Sequence, residues 1–119
     1  MEDQELLRYS KQIMLPQVDV GGQQKIMDAT VLIVGMGGLG SPTALYLAAA
    51  GVGHLIIADF DQVELSNLQR QIIHQTKDIG DDKVNSAKSK LTELNPNIKI
   101  TIANELIHTG NLPDLIKGV

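Results

Sequence analysis

The sequence predicts an α/β fold with a doubly wound parallel sheet and a helical extension ahead of it. Three observations lead there. Strand-like and helix-like segments alternate from residue 29 onward. The segments "VLIV" (Val31–Val34) and "HLIIA" (His54–Ala58) are aliphatic runs without polar alternation, the composition of strands covered on both faces. The order strand, helix, strand, helix, strand, helix implies right-handed crossovers between parallel neighbours.

Taken in order, Asp3 to Met14 reads as a helix with Leu6, Leu7, Ile13 and Met14 on one side, closed by Pro16. Gln23 to Asp28 reads as a second short helix. After Val31–Val34, Ser41-Pro42 suits a first helical turn, where proline lacks no needed donor. Ala44, Ala48, Ala49 and Ala50 let that helix lie close to a sheet, and Gly51-Val52-Gly53 stops it. Phe60 to Gly80 has no clean period and reads as a long functional loop. Asp81 to Asn95 returns to helix, with Val84, Ala87, Leu91 and Leu94 on one face and Asp81 and Asp82 at the positive end of its dipole. Ile98 to Ile102 alternates as a third strand, and Asn111-Leu112-Pro113 opens a last helix. The division is a helical extension over residues 1–28 and a partial Rossmann-like domain over 29–119, truncated after about three strands.

Composition sets outer limits. A chain of 119 residues suits one domain. Net charge is −4 with no block of lysines or arginines, which argues against nucleic acid as a partner. There is no cysteine, so thiolate nucleophiles and cysteine-ligated zinc are excluded for these residues. No apolar run approaches the ~20 residues that span a membrane, and "MEDQELLRYSK" does not fit a signal peptide. A cytoplasmic protein is the expectation.

The stretch "VLIVGMGGLGSP" carries the chemistry. Gly35, Gly37 and Gly40 match G-x-G-x-x-G, and Gly38 is an extra glycine. Missing Cβ atoms allow a tight turn and close approach of backbone to phosphate, and the amides of the helix start point at the anion. Asp59 follows Gly40 by 19 residues, at the end of the next strand, where a carboxylate can accept hydrogen bonds from a ribose. The motif alone does not choose between a dinucleotide and ATP. In the following loop, "DFDQVELSNLQRQ", Ser66 and Asn67 can cap a turn locally, and Arg70 can offer a planar fork to a triphosphate. Lys83, early in the next helix, can also reach the crevice.

Together "RYSKQI", "VLIVGMGGLGSP", "AGVGHLIIADFDQVELSNLQRQ" and "DDKVNSAKSKLTELNP" resemble the amino-terminal half of the MoeB/ThiF family, from about Leu7 to about Leu106. The molybdopterin branch is nearest, and the thiamin branch is nearly as close. These are adenylyltransferases that activate ubiquitin-like sulfur-carrier proteins. The resemblance implies that ATP lies with its phosphates over Gly35–Gly40, with Gly38 in close contact and Asp59 on the ribose hydroxyls. It places Asn67, Arg70 and Lys83 on the phosphates, within Ser66, Asn67, Leu68, Gln69 and Arg70. The carboxylate of a carrier's terminal Gly-Gly then attacks the α-phosphate. Lys11 stands where the family has an arginine that reaches the partner subunit's phosphates, so Arg70, Lys83 and Lys11 are the catalytic candidates and a homodimer is expected. Lysine keeps the charge there but loses the bidentate fork.

The resemblance also sets expectations about what lies past this sequence. The family's magnesium (Mg2+) aspartate and carrier-binding part are expected beyond residue 119, and the chain alone is expected to be inactive. In a sheet of order 3-2-1-4, Val31–Val34 would be an edge strand here and prone to pairing. Two other readings stay open: a plain NAD- or FAD-binding domain, and a non-catalytic fragment that only dimerises. His54, His74 and His108 show no metal-ligand spacing and read as surface or structural residues. Met14, Met27 and Met36 read as packing residues, and Tyr9 and Tyr46 as structural ones.

Overall fold

The computed structural model covers residues 1–119. Its elements run α1 (Asp3–Arg8), α2 (Ser10–Ile13), α3 (Asp19–Asp28), β1 (Thr30–Val34), α4 (Gly40–Ala50), β2 (His54–Ala58), α5 (Lys83–Leu94), β3 (Lys99–Ala103) and α6 (Leu112–Leu115). The three strands form one parallel sheet in the order β1-β2-β3. Ile33 sits opposite Ile57, and Leu55 opposite Ile100, so the aliphatic side chains stack in rows across the sheet. This is the Rossmann-like arrangement that the sequence predicts.

β2 is the central strand, and its Leu55, Ile57 and Ala58 have no exposed surface. β1 is at an edge. Its composition suggests cover on both faces, yet only Ile33 is buried and Val34 is 59% exposed. From α4, Ala44 and Ala48 enter the core, and from α5, Val84, Ala87 and Leu91 do, all fully buried. The alanines let α4 approach the sheet closely. Leu91 fills the space between, and burying such a side chain stabilises by ~1.5–3 kcal/mol.

Five sequence expectations need correction. The helix expected over Asp3–Met14 is two helices, broken at Tyr9. Tyr9 is buried there, its hydroxyl accepting from Asn95 Nδ2 at 2.8 Å and its ring against Gly51, and that anchor outweighs helical continuity. The second helix begins at Asp19, four residues before Gln23. The helix expected from Asp81 begins at Lys83, because Asp82 is held in an antiparallel bridge to Gln62 and the Asp81 carbonyl accepts from Val63 N–H. Met14 and Tyr46, read as packing and structural residues, are 74% and 76% exposed.

The loop from Phe60 to Gly80 is not loose. Val63 and Ile73 plug into the interior, and two short 3-10 turns, Leu65–Asn67 and Thr76–Asp78, order the rest. The N-terminal helices are fastened at the opposite end of the sheet from the glycine turn. Gln12 and Gln23 both donate to the carbonyl of Ala50, the last residue of α4.

Candidate functional site

The site grows from the turn between β1 and α4. Gly35 has φ +96°, a left-handed conformation that side chains rarely adopt, and it turns the chain sharply off the end of β1. Gly40 answers a different need. A Cβ there would lie 1.7 Å from the Gly35 carbonyl oxygen, so the turn can fold onto itself only without one. Gly37 and Gly38 have neither constraint. Their φ values are not positive, and a Cβ would meet only Gln71 Nε2 at 3.4 Å or Arg70 Cδ at 3.9 Å.

The main-chain N–H groups of Gly37, Gly38, Leu39 and Gly40 donate to nothing in the chain. They open α4 and are the unsatisfied donors of a helix N-terminus, where the dipole is positive. The preceding peptide is tightly held. Met36 N–H donates to Asp59 Oδ2 at 2.7 Å, and Met36 C=O accepts from His74 Nε2 at 2.8 Å. Ser41 Oγ lies 3.4 Å from the same carbonyl. Met36 is itself fully buried. The turn is thus clamped at Met36 while the next four amides stay free.

Asp59 sits just past β2, as expected from its spacing. Its Oδ1 accepts from Asp61 N–H at 2.9 Å. Both oxygens are engaged, and each keeps a lone pair for a further donor. Val34, Gly35, Ala58, Asp59, Phe60 and Asp61 line a cleft of about 210 Å3 at the carboxyl ends of β1 and β2. Ligands of open α/β sheets bind at such strand ends.

The other candidates divide. Arg70 is exposed, runs its stem beside Gly38, and donates Nη1 to the Ser66 carbonyl at 3.1 Å. Lys83 is 6% exposed, and its ammonium has one acidic neighbour, Asp61 Oδ2 at 3.9 Å. A buried cation with so distant a partner has room for another anion. Asn67 is buried and its Oδ1 accepts from Glu64 N–H at 2.9 Å, the local cap that the sequence allows. Asn67, Lys83, Asp61, Gln62 and Glu64 line a polar recess, which shares Asp61 with the cleft at Asp59. Ser66 and Gln69 are exposed and Leu68 is half-buried, and no side-chain hydrogen bond joins any of them to the glycine turn. Lys11 is exposed on α2, by the far end of α4, so one chain does not bring it to the turn. An 11-residue helix is about 16 Å long.

Two residues gain a place that the sequence reading did not specify. His74, read as surface or structural, is the latter: it is buried, and besides Met36 it meets Ser86 Oγ through Nδ1 at 2.7 Å. Burial lowers its pKa, and Lys83 adds to the effect; the Met36 hydrogen bond, Asp78 and Asp59 oppose it. A carbonyl only accepts, so Nε2 carries the proton, and neutral Nδ1 accepts from the Ser86 hydroxyl. Gln71 is also buried, beneath Gly37, with Oε1 unpartnered. No periodicity marks either residue, since both lie in an irregular loop.

A parallel sheet, a glycine turn that opens a helix with free amides, and a carboxylate past the next strand define a Rossmann-like α/β domain. The chain belongs to the ThiF family, whose model matches residues 9–119. It is 51% identical over 116 residues to the molybdopterin-synthase adenylyltransferase of Escherichia coli K12, covering 98% of this chain and 47% of that protein. It is 49% identical to the sulfur carrier protein ThiS adenylyltransferase of the same strain, covering 98% and 46%. The chain therefore spans about half the length of the curated relatives it matches. Among solved structures, PaaA matches with TM-score 0.90 and 34% identity over 98% of this chain and 39% of that one. The E. coli MccB structure with ATP matches with TM-score 0.70 and 29% identity over 79% and 34%.

Proposed function

We propose that these residues form the ATP-binding half-site of an adenylyltransferase that activates the C-terminal Gly-Gly carboxylate of a ubiquitin-like sulfur-carrier protein. One observation carries the reading: Gly38 is a glycine where the chain itself has room for a Cβ, in a run of four free amides. What needs the space lies outside the chain, and the donors suit a phosphate. The relatives, named as adenylyltransferases at about half identity, support ATP over a dinucleotide.

In this reading the phosphates lie over Gly35–Gly40, the ribose hydroxyls donate to the remaining lone pairs of Asp59, and Arg70 and Lys83 face the phosphates. A carrier carboxylate oxygen attacks the α-phosphorus, the bond to the bridging oxygen breaks, and pyrophosphate leaves with the electron pair. The acyl-adenylate remains. Fixed positive groups stabilise charge that spreads over the phosphoryl oxygens in the transition state. Magnesium is the expected companion of the nucleotide, but no three acidic or histidine side chains converge here to hold it, and no step is assigned to it. Lys11 is too far from its own turn to act there, which supports a homodimer in which it reaches the other copy's phosphates. No helix is long and apolar enough to cross a membrane, and we place the protein in the cytoplasm. Saturable binding of ATP, measured by calorimetry beside NADH, tests the reading. Saturable binding of NADH with none of ATP would overturn it.

A further inference from the structure

We propose that His74 is a positioning residue that holds the Lys83-bearing start of α5 in register with the glycine turn. The proposal rests on the adenylyltransferase reading for its effect on ATP, but its structural core does not. His74 bridges two elements that no other side-chain hydrogen bond joins. Nε2 holds the Met36 carbonyl at 2.8 Å, on the turn, and Nδ1 meets Ser86 Oγ at 2.7 Å, on α5. Ser86 lies three residues after Lys83, so the two share one face of the helix. Both are buried. Fixing Ser86 therefore fixes where the Lys83 stem leaves the helix.

The imidazole can serve this way because it is a donor at one end and an acceptor at the other. Its backbone is anchored as well: neighbouring Ile73 is fully buried in the core. At the turn, Asp59 holds the Met36 N–H and His74 the Met36 C=O, so the peptides on either side of Met36 are set by different elements. The free amides begin at the next residue. Loss of His74 leaves that carbonyl with only the longer Ser41 contact at 3.4 Å and removes the side-chain hydrogen bonds that join the turn to α5, leaving the apolar packing of Met36 in the core.

The test has two arms. In the ligand-free protein, amide hydrogen exchange is followed at Met36, which donates to Asp59, and at Ser86, which donates to the Asp82 carbonyl. His74→Leu is expected to speed both by tenfold or more while β2 amides keep their rates. His74→Gln, which supplies a donor and an acceptor, is expected to return both to within threefold of wild type. In the second arm, calorimetry compares ATP with adenosine. His74→Leu is expected to weaken ATP at least tenfold and adenosine less than threefold, with rescue by His74→Gln. Unchanged exchange at either amide, or equal losses for ATP and adenosine, overturns the proposal. If wild type binds no ATP, the adenylyltransferase reading falls while the exchange arm still decides the role of His74. Should His74→Leu not fold, Ser86→Ala must give the same split between ATP and adenosine, and equal losses overturn the proposal there too.

Discussion

Asp59 Oδ2 accepts the Met36 amide at 2.7 Å, joining the end of β2 to the peptide just ahead of the free amides. The carboxylate therefore shapes the turn before any ligand arrives. Asp59→Ala is expected to weaken ATP binding by ~1.5–3 kcal/mol, the range for a hydrogen bond to a charged group. It is also expected to lower the melting temperature, because Met36 N–H and Asp61 N–H both lose their acceptor. Calorimetry and a thermal melt read the two effects separately. A folded variant with wild-type ATP affinity would remove Asp59 from the site.

The glycines separate fold from ligand. Gly40→Ala places a Cβ 1.7 Å from the Gly35 carbonyl oxygen, an overlap that only movement of the turn relieves. Overpacking of this kind costs ~1–3 kcal/mol, and the gain in helix propensity of ~1 kcal/mol does not offset a displaced backbone. Gly38→Ala meets Arg70 Cδ at an ordinary 3.9 Å and is expected to leave the melt unchanged. Its ATP affinity is expected to fall tenfold or more, about 1.4 kcal/mol. A Gly38→Ala variant with full ATP affinity would show that nothing approaches that face.

Arg70 and Lys83 are expected to differ in their effect on the fold. Arg70 is exposed, and Arg70→Ala should weaken ATP much more than adenosine with little change in stability. Lys83 is buried, with one acidic neighbour at 3.9 Å, so its charge is poorly compensated without an anion. Lys83→Met, which keeps the stem and removes the charge, should be neutral or stabilising in the free protein and should weaken ATP against adenosine. Titrations of both variants with both ligands, beside a thermal melt, check this. Equal losses for the two ligands would assign both residues to packing.

The sheet was legible because aliphatic runs, helix periods and glycines are local signals. β2 and β3 fall within one residue of their expected bounds for that reason. The break at Tyr9 was not legible, since its cause is Asn95, 86 residues away. The same holds at the site. Gly35, Gly40 and Asp59 could be read from spacing, because a turn between a strand and a helix fixes where each must lie. His74 could not, since its partners Met36 and Ser86 come from separate elements across an irregular loop. The expectation for Lys11 rests on the family resemblance alone, and its own chain places it by the far end of α4, away from the glycine turn.

The state of His74 makes stability depend on pH in a defined direction. Burial lowers its pKa below the ordinary imidazole value of about 6.5, and Lys83 adds to this against the opposing Met36 carbonyl, Asp78 and Asp59. The fold therefore favours neutral imidazole, and the unfolded chain binds the proton more readily. Its contribution to stability is complete above about pH 6.5 and is lost as pH falls through that value toward the folded-state pKa. Below the folded-state pKa this group adds no further loss. His54 is shifted the same way, by partial burial and then by Lys99, so it contributes a loss of the same sign. Melting temperature measured between pH 8 and 5 should drop on the acid side in wild type. His74→Gln should flatten the drop, His54→Gln should flatten it less, and the double variant should remove it down to the range where carboxylates titrate. A His74→Gln profile parallel to wild type would show that the buried imidazole is not the group responsible.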